Sequence, residues 1–152
     1  MASNRHLGRI IALQSLYEYD LRLSSGDKST DVNEILSRGV KRYESTIDDK
    51  SFVTELVHGV INNQQDIDNK IQPIAPEWPI AQIAPINIVI LRIGIFELLY
   101  RSDLVPPKVA INEAVELAKA FGSDNSSKFI NGVLGTAYRT FIEGSEDAST
   151  KV

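Results

Sequence analysis

Two stretches of the sequence carry residue types and spacings that suit the binding of single-stranded nucleic acid. Near the N-terminus, Arg5 and Arg9 stand one helical turn apart, with His6 between them. Near the C-terminus, Lys128 places a cation beside the aromatic ring of Phe129. Cations attract phosphates, and an aromatic ring offers a platform on which an unpaired base can stack. For the N-terminal cluster (Arg5, His6 and Arg9), a solvated basic end of a helix remains the alternative on spacing alone.

The C-terminal stretch also places two glycines inside a predicted helix. Gly132 and Gly135 fall on its polar face together with Lys128 and Arg139. Each glycine costs a helix about 0.5–1 kcal/mol relative to alanine. Either a nucleic acid approaches this face closely, or another helix of the same protein packs against it. We refer to Lys128, Phe129, Gly132 and Arg139 as the C-terminal strip.

No common catalytic or metal-binding arrangement is recognisable in the sequence. There is no cysteine and no glycine-rich phosphate loop, and the two histidines, His6 and His58, are far apart. Arg92 and Glu97 lie in the most apolar predicted helix, where an internal ion pair or capping network, with Glu113 as partner of Arg92, is favoured over catalysis. The sequence therefore predicts a protein that is not an enzyme and holds no cofactor or metal.

Length and composition indicate one globular domain. The chain has 152 residues, of which 43% are hydrophobic and 24% charged. Its net charge of −4 argues against general, sequence-independent nucleic-acid binding, so any such binding needs a local basic surface. No signal peptide or membrane-spanning segment is recognisable, and we expect a cytoplasmic protein.

Apolar residues at helical spacing predict an all-α fold of about seven helices in two packed subdomains. The predicted subdomains cover about residues 5–74 and 83–142, joined by the proline-rich connection 73–85 and followed by a disordered tail, 143–152. Asp31 and Glu34 are expected to cap the second helix, and Gly122 to end the sixth. The run 86–100 is apolar on nearly every side, which places its helix at the centre of a bundle.

Three segments together resemble the NusB family of transcription antitermination factors. They are "ALQSLYEYD", "ILRIGIFELLY" and "VPPKVAINEAVELAKAFGSDNSSKFINGVLG", and the likeness runs from about residue 5 to residue 140. The resemblance implies an all-helical, non-enzymatic protein. It further implies binding of single-stranded boxA RNA in ribosomal RNA leaders, together with the ribosomal protein NusE, within the RNA polymerase antitermination complex.

Carried over residue by residue, the resemblance implies RNA contacts at Arg5, His6, Arg9, Tyr17, Lys128 and Phe129. It also implies that Asn87 and Ile88 lie where NusE docks. Four features depart from the family pattern. Leu7 and Gly8 interrupt the basic cluster, Asn87 replaces a residue that is usually acidic, "DNSSKF" replaces "EDSHKF", and Gly135 replaces the acidic residue that often follows "NGVL".

Two other functions remain open at this point. A NusB-like domain also forms the N-terminal part of some ribosomal RNA cytosine methyltransferases, where it holds RNA for a separate catalytic domain. The chain could instead be a helical protein-binding scaffold or homodimer, with Trp78 and Ile88 as exposed apolar contacts.

Overall fold

The computed structural model describes residues 2–76 and 79–143, and within this part of the chain every regular element is helical. Seven α-helices follow one another: α1 (Ala2–Ser24), α2 (Val32–Arg42), α3 (Lys50–Asn62), α4 (Gln64–Ile74), α5 (Pro85–Ile95), α6 (Pro107–Phe121) and α7 (Ser126–Ala137). A short 3₁₀ turn, Ile80–Gln82, precedes α5. Helices α5 and α7 continue as π-helical segments, Phe96–Tyr100 and Tyr138–Glu143. The all-α prediction is confirmed.

The chain divides after Asn62 into two compact units. The first contains α1, α2 and α3, and the second contains α4 to α7. The sequence placed the division later, in the proline-rich connection. The structure assigns α4 to the second unit because this helix packs on α5 and α7. Residues 144–152 of the predicted tail and Trp78 lie outside the described residues, whereas Glu143 is the last residue of the π-helical segment after α7.

In the first unit, α1 packs on both α2 and α3. Its core includes Ile11, Leu13, Leu56 and Val57, all nearly inaccessible to solvent. Asp31 caps α2 as predicted, because its side chain accepts a hydrogen bond from the backbone N–H of Asn33 at 2.9 Å.

In the second unit, α5 is the central helix, as its apolar composition predicts. Every residue from Ile88 to Leu98 is buried, and α5 contacts α4, α6 and α7. Gly94 makes this packing possible. A Cβ at this position would lie 2.8 Å from Leu134 Cδ1 on α7 and 3.3 Å from Ala114 Cβ on α6.

Gly122 does end α6, but the reason differs from the expected one. Its φ of −94° is open to any residue, so a left-handed cap is not what selects glycine here. A Cβ on Gly122 would instead lie 2.5 Å from the side chain of Ser126. The Ser126 hydroxyl is buried and accepts a hydrogen bond from the Ser123 backbone N–H at 2.9 Å. Glycine therefore leaves room for the serine that organises the start of α7.

Candidate nucleic-acid interface

The N-terminal cluster is organised around one aromatic ring on α3. The guanidinium carbons of Arg5 and Arg9 each lie 5.2 Å from the centre of the Phe52 ring. Helix α1 can come this close because residue 8 is glycine, where a Cβ would lie 3.0 Å from Phe52 Cδ2. Gly8 interrupts the basic run in the sequence, but in the fold it allows both flanking arginines to reach the same ring.

The two arginines differ in accessibility. Arg5 is half-buried, whereas Arg9 is only 2% exposed. The predicted direct contact between Arg9 and RNA is therefore not available in this conformation, because the side chain is enclosed between α1 and α3. His6 and Tyr17 are half-buried on α1. Arg5 and His6 are the more accessible members of the N-terminal cluster.

An acidic residue lies near Arg5, although none precedes Glu18 in the sequence. Asp49 accepts hydrogen bonds from the backbone N–H of Phe52 at 3.1 Å and from the Ser51 hydroxyl at 2.7 Å. The hydrogen bond from Ser51 is the main reason why the pKa of Asp49 is lowered, and the charge of Arg5 lowers this pKa further. Asp49 thus both caps α3 and partly balances Arg5.

Three residues of the C-terminal strip line one side of a cavity of about 360 Å³ in the second unit. Lys128, Phe129 and Gly132 line this cavity together with residues of α4 and α7. Lys128 is exposed and forms no ion pair with the described part of the chain, so its ammonium can receive a phosphate. Phe129 is half-buried. The structure therefore brings a cation, a ring and a glycine together, as the spacing predicted.

Arg139 extends the strip by one turn beyond the cavity. It is exposed and lies in the π-helical segment that follows α7. Its Nη2 donates to the Thr136 hydroxyl at 3.2 Å, and that hydroxyl donates to the Gly132 carbonyl at 3.0 Å. These bonds hold the guanidinium near Gly132.

The structure bears on one of the two explanations for the glycines of α7, the close packing of another helix. Apart from its chain neighbours and the backbone of its own helix, a Cβ on Gly132 would meet no atom of the described chain within 4 Å. A Cβ on Gly135 would meet only Arg139 Nη1, at 3.5 Å, which is an ordinary contact. Close packing of another described helix, as seen at Gly94, therefore does not account for either glycine.

The two residues expected to dock a protein partner lie side by side in α5 but differ in exposure. Ile88 is 6% exposed, so the prediction that it is an exposed apolar residue is wrong: its side chain belongs to the core. Asn87 is half-buried and lines a second cavity, of about 440 Å³, whose wall also includes Phe129. Phe129 thus borders both cavities.

Arg92 and Glu97 are buried, 8% and 2% exposed respectively. Arg92 donates from Nε to Asp68 Oδ1 at 2.9 Å and from Nη2 to Asp68 Oδ2 at 3.0 Å. This two-point ion pair joins α5 to α4 and confirms the structural interpretation of Arg92. The sequence did not identify Asp68, and the pairing of Arg92 with Glu113 stays a prediction.

Two other kinds of site are not found among the described residues. No group of three acidic, histidine or cysteine side chains is placed to hold a metal ion within residues 2–76 and 79–143. No helix in the same ranges combines the length and apolarity that crossing a bilayer requires.

Comparison with known proteins identifies the family. The NusB family model matches residues 6–139. The transcription antitermination protein NusB of Herpetosiphon aurantiacus is 42% identical over 138 residues, which cover 90% of each chain. That of Roseiflexus castenholzii is 41% identical over 96% of this chain and 99% of its own.

A solved structure of T. maritima NusB has a TM-score of 0.78 at 28% identity, covering 90% of this chain and 91% of its own. These relatives confirm the prediction that the protein is not an enzyme, because they are antitermination proteins. The chain belongs to the NusB family of transcription antitermination proteins.

Proposed function

We propose that the protein binds a short single-stranded boxA element in ribosomal RNA leader transcripts, together with NusE, and supports antitermination by RNA polymerase in the cytoplasm. The observation that carries this proposal is the C-terminal strip, in which exposed Lys128, the Phe129 ring and the open backbone at Gly132 line one cavity. A cation for phosphate, a ring for a base and an uncovered helix face are what unpaired RNA requires.

The N-terminal cluster supports the proposal in a more limited way. Arg5 and His6 are accessible enough to contact phosphate directly. Arg9 does not contact RNA itself, because its guanidinium is buried against the Phe52 ring. Its role is to help hold α1, and with it Arg5, against this ring. Tyr17, also half-buried on α1, is retained as an RNA contact of this cluster.

NusE is the proposed protein partner. One solved structure with a TM-score of 0.78 contains the antitermination factors NusB and NusE in complex with dsRNA. At 23% identity that likeness concerns the fold, and the complex is a property of that protein. Docking of NusE at α5 would involve Asn87 and its exposed surroundings, whereas the buried Ile88 supports the helix from within.

The methyltransferase alternative is not favoured, because the two curated relatives are antitermination proteins that match over at least 90% of both chains. The homodimer alternative loses Ile88 as an exposed contact. Light scattering at high protein concentration tests the homodimer directly. A protein that stays monomeric under these conditions would contradict this alternative.

Fluorescence anisotropy with a labelled boxA-like RNA tests the proposal. The protein is titrated with and without NusE, at two salt concentrations, against a scrambled RNA of equal length. We expect preferential binding of the boxA-like RNA, strengthened by NusE and weakened by salt. Equal binding of the two RNAs in every condition would show that the fold does not carry this function here.

A further inference from the structure

The accessible arginine of the N-terminal cluster lies against an aromatic side chain. The guanidinium carbon of Arg5 is 5.2 Å from the centre of the Phe52 ring, within the roughly 6 Å over which a cation is attracted to an aromatic ring. Arg5 is half-buried, so part of its side chain stays open to a ligand. The ring thus restricts the side chain without enclosing it.

The Phe52 ring is itself held by contacts on both helices. Its backbone N–H, in the first turn of α3, donates to the Asp49 carboxylate at 3.1 Å, and the next residue, Val53, is fully buried. On the side of α1, a Cβ at Gly8 would lie 3.0 Å from Phe52 Cδ2 and 3.2 Å from Val53 Cγ2, so the two helices meet closely here. The buried Arg9 guanidinium carbon lies 5.2 Å from the same ring. Arg5 therefore rests on a rigid support.

A guanidinium group can contact a ring and a phosphate at the same time. Its planar face suits an aromatic ring, while the N–H groups at its edge donate hydrogen bonds to phosphate oxygens. An arginine that is free to rotate loses this freedom when it binds a phosphate, and immobilising one such side chain lowers affinity by roughly two- to tenfold. An arginine already held by a ring avoids much of this loss.

We propose that Phe52 is a positioning residue for RNA binding, whose ring holds the Arg5 guanidinium with its N–H groups directed to a backbone phosphate of the bound RNA. This inference rests on the proposed RNA binding and adds a residue that acts through Arg5. Because a phosphate contact carries no base sequence information, the effect of Phe52 is the same for every single-stranded RNA that reaches Arg5.

A double-mutant cycle read by RNA anisotropy tests the proposal. Phe52→Leu should weaken RNA binding by roughly two- to tenfold and leave the slope of log K against log salt near the wild-type value, because Arg5 still reaches its phosphate. Arg5→Ala should weaken binding and also reduce this slope by about 0.7. In the Arg5→Ala background, Phe52→Leu should cause no further loss of affinity.

Three further variants separate positioning from stability. Phe52→Tyr keeps the ring and should bind RNA as the wild type does. Arg5→Lys keeps the charge but has no planar face, so it should resemble Phe52→Leu in both affinity and slope. Val53→Ala is the matched control for stability: it removes buried apolar contacts next to Phe52 but leaves the ring and Arg5 in place. At a temperature where every variant is folded, Val53→Ala should leave RNA affinity unchanged.

NMR of the protein without RNA gives a second, independent measurement. The ring current of Phe52 should displace the Arg5 Nε–H resonance from the position of a solvated arginine. Phe52→Leu should return this resonance towards that position, whereas Phe52→Tyr should not.

Two results would overturn the inference and leave the proposed function intact. One is an unchanged RNA affinity in Phe52→Leu. The other is an equal loss from Phe52→Leu with and without Arg5, which would show that Phe52 acts on RNA independently of Arg5. Equal binding of boxA-like and scrambled RNA by the wild type would contradict the proposed function, and the same cycle measured on scrambled RNA would still decide the role of Phe52. A protein that binds neither RNA would contradict both.

Discussion

The Arg9 guanidinium carbon lies 5.2 Å from the centre of the Phe52 ring while the whole arginine is only 2% exposed. A cationic side chain in such a place is held by the ring and by the surrounding helices rather than by water. The Arg5 guanidinium carbon lies at the same distance from this ring, but the Arg5 side chain is only half-buried. One aromatic residue on α3 thus fixes the positions of two cations on α1.

Replacement of Phe52 by leucine should destabilise the first unit. Leucine keeps an apolar contact with Gly8 but removes the ring that both arginines contact. We expect the free energy of unfolding to fall by about 1–2 kcal/mol, of which part is the lost cation–π attraction. Denaturant unfolding followed by circular dichroism measures this change. Phe52→Tyr keeps the ring and serves as the control; if it destabilised the protein as much as Phe52→Leu, the ring would not be the cause.

Arg5 and Arg9 should respond differently to replacement by alanine. Arg5→Ala should weaken binding of single-stranded RNA and reduce the slope of log K against log salt by about 0.7, the contribution of one lost phosphate contact. Arg9→Ala should mainly lower the unfolding temperature and leave this slope nearly unchanged. Salt titrations of RNA anisotropy and thermal melts of both variants test the distinction. A larger change of slope for Arg9→Ala than for Arg5→Ala would contradict it.

Gly132→Ala should stabilise the protein and weaken RNA binding. The new methyl group meets no atom of the described chain within 4 Å apart from its chain neighbours and the backbone of α7 itself, so α7 gains about 0.5–1 kcal/mol in helix propensity. The same methyl group would stand between α7 and a closely approaching RNA. Unfolding curves and RNA anisotropy are measured on the same sample. Gly135→Ala is the matched control and should give a similar gain in stability with less effect on RNA; an unchanged affinity for Gly132→Ala would show that RNA does not approach this residue.

Stability should depend on the ionisation of Asp49 at acid pH. Because the folded protein lowers the pKa of Asp49 below its ordinary value of 3.8, this carboxylate stabilises the fold above that value. The contribution is lost as the pH falls through the lowered pKa. Asp49→Ala, which also removes the cap of α3, should cost about 1 kcal/mol at neutral pH.

The difference in unfolding free energy between Asp49→Ala and wild type should therefore shrink as the solution is acidified below pH 3.8. Ser51→Ala removes the hydrogen bond that lowers this pKa most and should move it back towards its ordinary value. An NMR titration that follows the Asp49 carboxyl carbon measures the pKa of Asp49 in the wild-type protein and in Ser51→Ala. A pKa that stays unchanged in Ser51→Ala would show that Ser51 is not the cause.

Removal of Asp68 should destabilise the second unit strongly. Asp68→Ala would leave the buried Arg92 without the carboxylate that receives two of its N–H groups, at a cost of about 3 kcal/mol. Chemical denaturation measures the loss. The exposed pair formed by Lys119 and Glu116 is the control, because Glu116→Ala should cost less than about 1 kcal/mol. If Asp68→Ala and Glu116→Ala lowered the free energy of unfolding by similar amounts, burial would not be what makes the Arg92–Asp68 pair important.

The sequence predicted the helices well because each depends on local periodicity and on nearby start and stop residues. Asp31 and the apolar run of α5 are examples in which the local pattern and the fold agree. The division between the two units was misplaced, because it depends on which helices α4 packs against rather than on the prolines that follow it.

For the candidate site, the sequence indicated which residue types to consider but not how they are arranged. Lys128, Phe129 and Gly132 lie in one helix, so helical spacing alone could bring them together. The position of Arg9 over the Phe52 ring depends on the packing of α1 on α3, and the second cavity depends on residues at the beginnings of α5 and α7. No local signal in the sequence reports such contacts between distant segments.

The position of Phe129 between two cavities has a consequence for genetic dissection. Any substitution at this residue alters both cavities at once, so the phenotype of a Phe129 variant cannot be assigned to either. Residues that border a single cavity, Gly132 on one side and Asn87 on the other, separate the two effects. Second-site suppressors of a Phe129 defect should accordingly map to residues that border one cavity or the other.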